Sequence, residues 1–139
     1  MKDKVIKIKI LIVDDDFTSR KILLKYLLEY GQCDVAVNGK EAVEAFKLAS
    51  EENETYDFIC LDIMMPEMDG QEVLKEIRQF EKQKEIYGLD GVKIIMTSAL
   101  DDSDNIKMAF REQCEGYLVK PIDKQKLIQK MESLEIIKT

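Results

Sequence analysis

Two hydrophobic periods alternate along this chain. Apolar runs of strand length occupy residues 8–13, 34–37, 58–61, 92–96 and 116–119. The runs opening at Ile8, Phe58 and Val92 are nearly unbroken, and a run without polar alternation marks a strand covered on both faces. Between them, apolar residues recur at helical spacing, each set forming one stripe: Ile22, Leu23, Tyr26, Leu27, Tyr30; then Ala42, Val43, Ala45, Phe46, Ala49; then Val73, Leu74, Ile77, Phe80. Two further stripes follow, Ile106, Ala109, Phe110 and Leu127, Ile128, Met131, Leu134. Turn and capping residues punctuate the exchange: Gly31 after the first helix, Asn38-Gly39 before the second, Asp69-Gly70 before the third, and Asp123, shortly after Pro121, before the last.

The pattern is βα repeated five times. Such alternation predicts a parallel sheet with helices on both faces, because each crossover returns its strand in the same direction. The expected fold is a doubly wound α/β domain, whose ligands collect outside the carboxyl ends of the strands. A length of 139 residues with 45% hydrophobic and 35% charged side chains fits one globular domain spanning 1–139, with no room for a separate output domain. A formal charge of −7 disfavours nucleic acid as a direct partner, since that affinity comes largely from Lys and Arg neutralising phosphates. No apolar stretch approaches the ~20 residues of a membrane span or the length of a signal peptide, so no membrane insertion is expected and the cytoplasm is the expected location. Cys33, Cys60 and Cys114, an odd count without CxxC spacing, read as packing thiols. With no histidine, the chain lacks the commonest general base and zinc ligand.

The strand ends carry the chemistry. The first run leads directly into Asp14, Asp15 and Asp16, and the third into Asp62. If these strands are neighbours, at least three carboxylates share a pocket, and like charges ~4 Å apart repel by about 4 kcal/mol at an effective dielectric of ~20. A divalent cation resolves that conflict, and carboxylate oxygens without His or Cys suit Mg²⁺, which pairs readily with phosphate. The fourth run ends at Thr97 and Ser98, offering hydroxyls; the fifth ends at Lys120-Pro121, offering a cation. Each residue alone has an ordinary explanation, since Asp14 to Asp16 also suit a cap for a helix starting near Thr18 and a lone lysine is commonly solvated. Their order at the ends of strands one, three, four and five is what points to a phosphoryl site.

The segments ILIVDDD, LDIMMPEMDG, IIMTSA and GYLVKPI resemble the four signature segments of response-regulator receiver domains, over about residues 7–137. The resemblance implies a flavodoxin-like sheet of order 2-1-3-4-5. It implies Asp62 as phosphoacceptor, Asp14, Asp15 and Asp62 with the backbone carbonyl of Met64 as the Mg²⁺ site, and Thr97 and Lys120 as ligands of the phosphoryl oxygens. Tyr117 matches the aromatic whose pose accompanies the switch, and Met64 and Ala99 match the positions that tune the lifetime of the phosphorylated state. The implied partners are a sensor histidine kinase or histidine phosphotransfer protein, which supplies the missing imidazole in trans, and a protein target contacted through helix 4, strand 5 and helix 5. Beyond assisting its own phosphorylation and dephosphorylation, such a domain is not an enzyme.

Two alternatives stay open at this level. VDDDFT also satisfies the hydrophobic-D-x-D-x-T motif of haloacid-dehalogenase-like phosphatases, with Asp14 as nucleophile and Asp16 as acid/base, although Asp101-Asp102 precede Lys120 and Asp62 is then unused. A non-phosphorylated pseudo-receiver used only for docking usually lacks part of the acid, hydroxyl and lysine set, which is complete here. The stretch RQFEKQKEIYGLDGVK is longer than is usual between the third helix and fourth strand, and predicts an extended third helix.

Overall fold

A computed structural model of the chain describes residues 8–99 and 103–138. Five parallel strands form one sheet of order β2-β1-β3-β4-β5. They are β1 (Ile8–Val13), β2 (Gly31–Ala36), β3 (Phe58–Asp62), β4 (Lys93–Ser98) and β5 (Gly116–Val119), alternating with α1 (Phe17–Leu27), α2 (Gly39–Glu51), α3 (Gly70–Gln83), α4 (Ser103–Arg111) and α5 (Lys124–Ser133). The doubly wound architecture and strand order are those expected.

Strand periodicity divides the core in two. Leu11, Val13, Ile59, Leu61, Ile94 and Met96 pack beneath α2, α3 and α4, whereas Ile10, Ile12, Phe58, Cys60 and Ile95 pack beneath α1 and α5 with Leu23, Leu27, Leu127 and Met131. Both faces of β1, β3 and β4 are therefore buried, which is why their sequences do not alternate. Four helices start where a side-chain oxygen accepts a backbone N–H: Asp16 from Ser19, Asn38 from Glu41, Asp69 from Glu72, and Asp123 from Gln125 and Lys126.

Several local expectations need correction. β2 begins at Gly31, three residues before the expected start, and ends at Ala36. It lies at the sheet edge, where Gln32 is exposed and Cys33 and Asp34 half-buried, so the strand is not an apolar run. Tyr30 falls in the turn after α1. Ile22 and Phe110 are 42% and 49% exposed, lying at the margins of their helical stripes rather than in the core. The third helix ends at Gln83, and the remainder of the longer segment forms a turn and a 3-10 helix at Gly88–Asp90. Residues Asp101 and Asp102 lie outside the described residues.

Candidate functional site

The pleat brings four polar side chains to one place. Asp14, Asp62, Thr97 and Lys120 each stand two residues after a side chain of the α1/α5 core, namely Ile12, Cys60, Ile95 and Leu118. With a side-chain period of two, all four continue that face beyond the carboxyl ends of their strands. The register sets Asp62 beside Thr97 and Val13 beside Leu61. β1, β3 and β4 are adjacent, so both acid clusters and the hydroxyl meet at the point where the strand order reverses.

Asp14 is fully buried and bonded on every side. Its N–H donates to Ala36 O at 3.2 Å, its Oδ1 accepts from Asp16 N at 2.9 Å, its Oδ2 accepts from Lys120 Nζ at 2.7 Å, and its carbonyl accepts from Arg20 Nη1 at 2.8 Å. Asp62 is 3% exposed; its Oδ1 accepts from Met64 N at 3.4 Å and its Oδ2 lies 3.4 Å from Lys120 Nζ. Burial, reinforced by the charge of Asp14, pushes the Asp62 carboxyl up to about 6, even though Lys120 and the Met64 N–H favour its ionised form. Burial opposes the Lys120 ammonium, but the Asp14 bond and the two carboxylate charges outweigh it and raise its pKa. Lys120 thus pairs with both acids and sits closer to Asp14 than to Asp62.

Asp14, Asp15 and Asp62 offer carboxylate oxygens within 4.8 Å of one another. Three carboxylates against one ammonium leave two negative charges in largely buried surroundings, which a hard divalent cation matches. Thr97 Oγ1 is buried and has no hydrogen-bond partner among the described residues, the condition of a donor kept for a ligand oxygen, since an unsatisfied buried hydroxyl costs about 1–3 kcal/mol. The residues present therefore fit a Mg²⁺ ion and an oxyanion side by side. Met64 is 54% exposed and Ala99 is also exposed, while Tyr117 is half-buried against the α2/α3/α4 core.

Asp16, which the phosphatase motif needs as acid/base, is instead the exposed N-cap of α1, its Oδ2 engaged by Ser19 N at 2.9 Å. Two further residues matter that the sequence did not single out for the site. Gly70 is packed so tightly behind β3 that a Cβ there would run into the Asp62 carbonyl and lie 2.8 Å from Ile63 Cα; the only signal was its Asp-Gly turn pair. Arg20 looks in sequence like one more helix-surface cation, and nothing marked it.

Fold and site together define a signalling-type α/β domain with an acidic, metal-fitting pocket around one buried aspartate. The response regulator receiver domain model matches residues 10–132. The chemotaxis protein CheY of Treponema pallidum is 31% identical over 128 residues, covering 91% of this chain and 81% of that protein. The transcriptional regulatory protein ResD of Bacillus subtilis is 35% identical over 133 residues, covering 95% of this chain and 50% of the regulator. Among solved structures, the CheX–CheY–BeF3–Mg complex from Borrelia burgdorferi aligns with TM-score 0.79 at 32% identity, covering 94% of this chain and 90% of that one. The receiver domain of Ssk1, solved with the histidine phosphotransfer protein Ypd1 from Saccharomyces cerevisiae, aligns with TM-score 0.81 at 29% identity over 95% and 91% of the two chains. This chain belongs to the response-regulator receiver-domain family, the phosphorelay module of two-component signalling.

Proposed function

We propose that this domain, acting in the cytoplasm, takes a phosphoryl group from a phosphohistidine of a sensor histidine kinase or histidine phosphotransfer protein onto Asp62. A carboxylate oxygen of Asp62 forms the new O–P bond as the imidazole N–P bond breaks, and the released imidazole takes its proton from solvent. Asp14, Asp15, Asp62 and the main-chain carbonyl of Met64 hold Mg²⁺, which supplies positive charge against the phosphoryl oxygens. Lys120, already between Asp14 and Asp62, neutralises the same oxygens from the protein side, as positioning and electrostatic stabilisation require for a loose transition state. The domain promotes these steps on itself alone and turns over no separate substrate.

The observation that carries this reading is the buried Thr97 hydroxyl, without a partner among the described residues and in register with Asp62, a donor that a phosphoryl oxygen satisfies. The relatives solved with BeF3 and Mg and with a histidine phosphotransfer protein support it. An apolar cleft of about 420 Å³ lined by Ile22, Leu23, Tyr26, Pro121 and Ile122 beside Lys120 offers the donor a seat, with Ile22 exposed for that contact. Met108, Phe110 and Val119, each 41–49% exposed on α4 and β5, offer a surface for the downstream target. Neither Met64 nor Ala99 carries a group that orients water, so the phosphorylated state is expected to be long-lived.

Intact mass after acetyl phosphate and Mg²⁺ tests the assignment. The expected result is one hydroxylamine-labile phosphoryl group on the wild type and none on Asp62→Asn, whose amide is a poor nucleophile. Full labelling of Asp62→Asn would refute it.

A further inference from the structure

Asp14 and Asp15 are adjacent acids held in different ways. Asp14 is tied by its N–H, its carbonyl and both carboxylate oxygens. Asp15 is exposed, and among the described residues no hydrogen bond or ion pair fixes its carboxylate. What the fold fixes of Asp15 is therefore its backbone, the mount from which the carboxylate reaches. The Asp14 carbonyl belongs to the peptide that ends at the Asp15 nitrogen, and because that unit is planar, gripping its oxygen fixes the plane on which Asp15 is mounted. The grip is Arg20 Nη1, at 2.8 Å.

Arg20 is itself well seated. It belongs to the first turn of α1, where its N–H donates to Asp16 O at 3.0 Å and the Asp16 side chain caps the helix. Its guanidinium lies 5.8 Å from the centre of the ring of Phe17, itself 68% exposed. The half-buried guanidinium thus reaches the acidic loop from a rigid element.

We propose that Arg20 is a positioning residue for the metal-binding carboxylate of Asp15, acting through the Asp14 carbonyl, an inference that rests on the Mg²⁺ reading of the site. Two effects of Arg20 oppose each other. Its charge repels a divalent cation, so its removal would tighten binding by a few-fold through a screened Coulomb interaction. Its clamp holds a ligand in place, and loss of outer-shell support weakens metal binding roughly 10- to 100-fold. The clamp wins, and the sign of the change distinguishes the two.

The experiment is calorimetric titration of the full chain with MgCl2, for wild type, Arg20→Gln and Arg20→Lys, alongside backbone amide spectra and Mg²⁺-dependent acetyl phosphate labelling. Mg²⁺ affinity should fall about 10-fold in Arg20→Gln and detectably in Arg20→Lys, which keeps the charge and loses the planar fork. The Asp15 amide resonance should move in the metal-free variants, and labelling should recover to the wild-type rate at saturating Mg²⁺. Unchanged or tighter binding in Arg20→Gln, or wild-type affinity in Arg20→Lys, overturns the clamp while wild-type labelling leaves the phosphoacceptor reading intact. A wild type that binds no Mg²⁺ overturns both.

Discussion

At the scale of single residues, the site is a set of charges kept close together against their own repulsion. Asp62 shows this most directly, because its carboxyl titrates at about 6 instead of 3.8, first through burial and then through Asp14. The folded state therefore binds this proton more tightly than the unfolded chain does. The associated stability is fully present below about 3.8 and is lost as pH rises through about 6. In metal-free buffer, Asp62→Asn should be more stable than wild type at pH 7.5, by about 1–3 kcal/mol. The difference should shrink toward pH 4. Urea midpoints of the two proteins across that range check this, and a difference independent of pH would contradict it. Arg20 marks the limit of residue-level reading: its role depends on a carbonyl six positions earlier in the chain, and side-chain composition does not display carbonyls.

At the scale of elements, what was legible in the sequence followed burial. β1, β3 and β4 stood out because both of their faces are covered, and Asp14, Asp62 and Thr97 stood out because a charge or hydroxyl directly after such a run has few reasons to be there. The start of β2 was illegible because an edge strand keeps polar residues such as Gln32 and Asp34. Asp16 was ambiguous because a cap and a catalytic acid use the same side chain, and only the bond from Ser19 decides between them. The conformational switch that the family resemblance implies would act through α4. This helix is tethered to α3 by Gln71 Nε2 donating to Asn105 O at 2.9 Å, and Lys75 of α3 lies 3.8 Å from Glu112 in the turn just after α4. Shifting such a switch from 1:99 to 99:1 takes about 5.5 kcal/mol, within reach of a charged group that recruits Thr97 and Lys120 together. Thr97→Ala should still take label on Asp62 in Mg²⁺, yet the response of α4 and β5 amide resonances to beryllofluoride should largely vanish. An undiminished response would show that Thr97 does not couple site to helix.

At the scale of the whole molecule, the acidic pocket and an anchoring network occupy opposite ends of the sheet, separated by about 20 Å for strands of this length. At the amino end of β4, Arg78 donates to Glu81, Glu115, Val92 O and Gln113 O, while Glu81 Oε2 accepts from Val92 N at 2.7 Å and Glu115 Oε1 from Ile94 N at 2.6 Å. Burial raises the Glu115 pKa despite the pull of Arg78, so this network depends on its cation. Arg78→Met strands two carboxylates and should destabilise the fold by about 3–5 kcal/mol, read from denaturant midpoints, while the Mg²⁺ dependence of Asp62 labelling is retained in the folded fraction. The Val92 N–H bond to Glu81 lies just after the 3-10 turn carrying Leu89, which is 89% exposed. Burial pushes the native thiols Cys33, Cys60 and Cys114 up to about 11, 12 and 11, so a cysteine in place of Leu89 would be the most reactive sulfur in the molecule. Such a thiol would give the domain an attachment point for a fluorescent reporter, at the end of the sheet remote from the phosphoryl chemistry it would be used to watch.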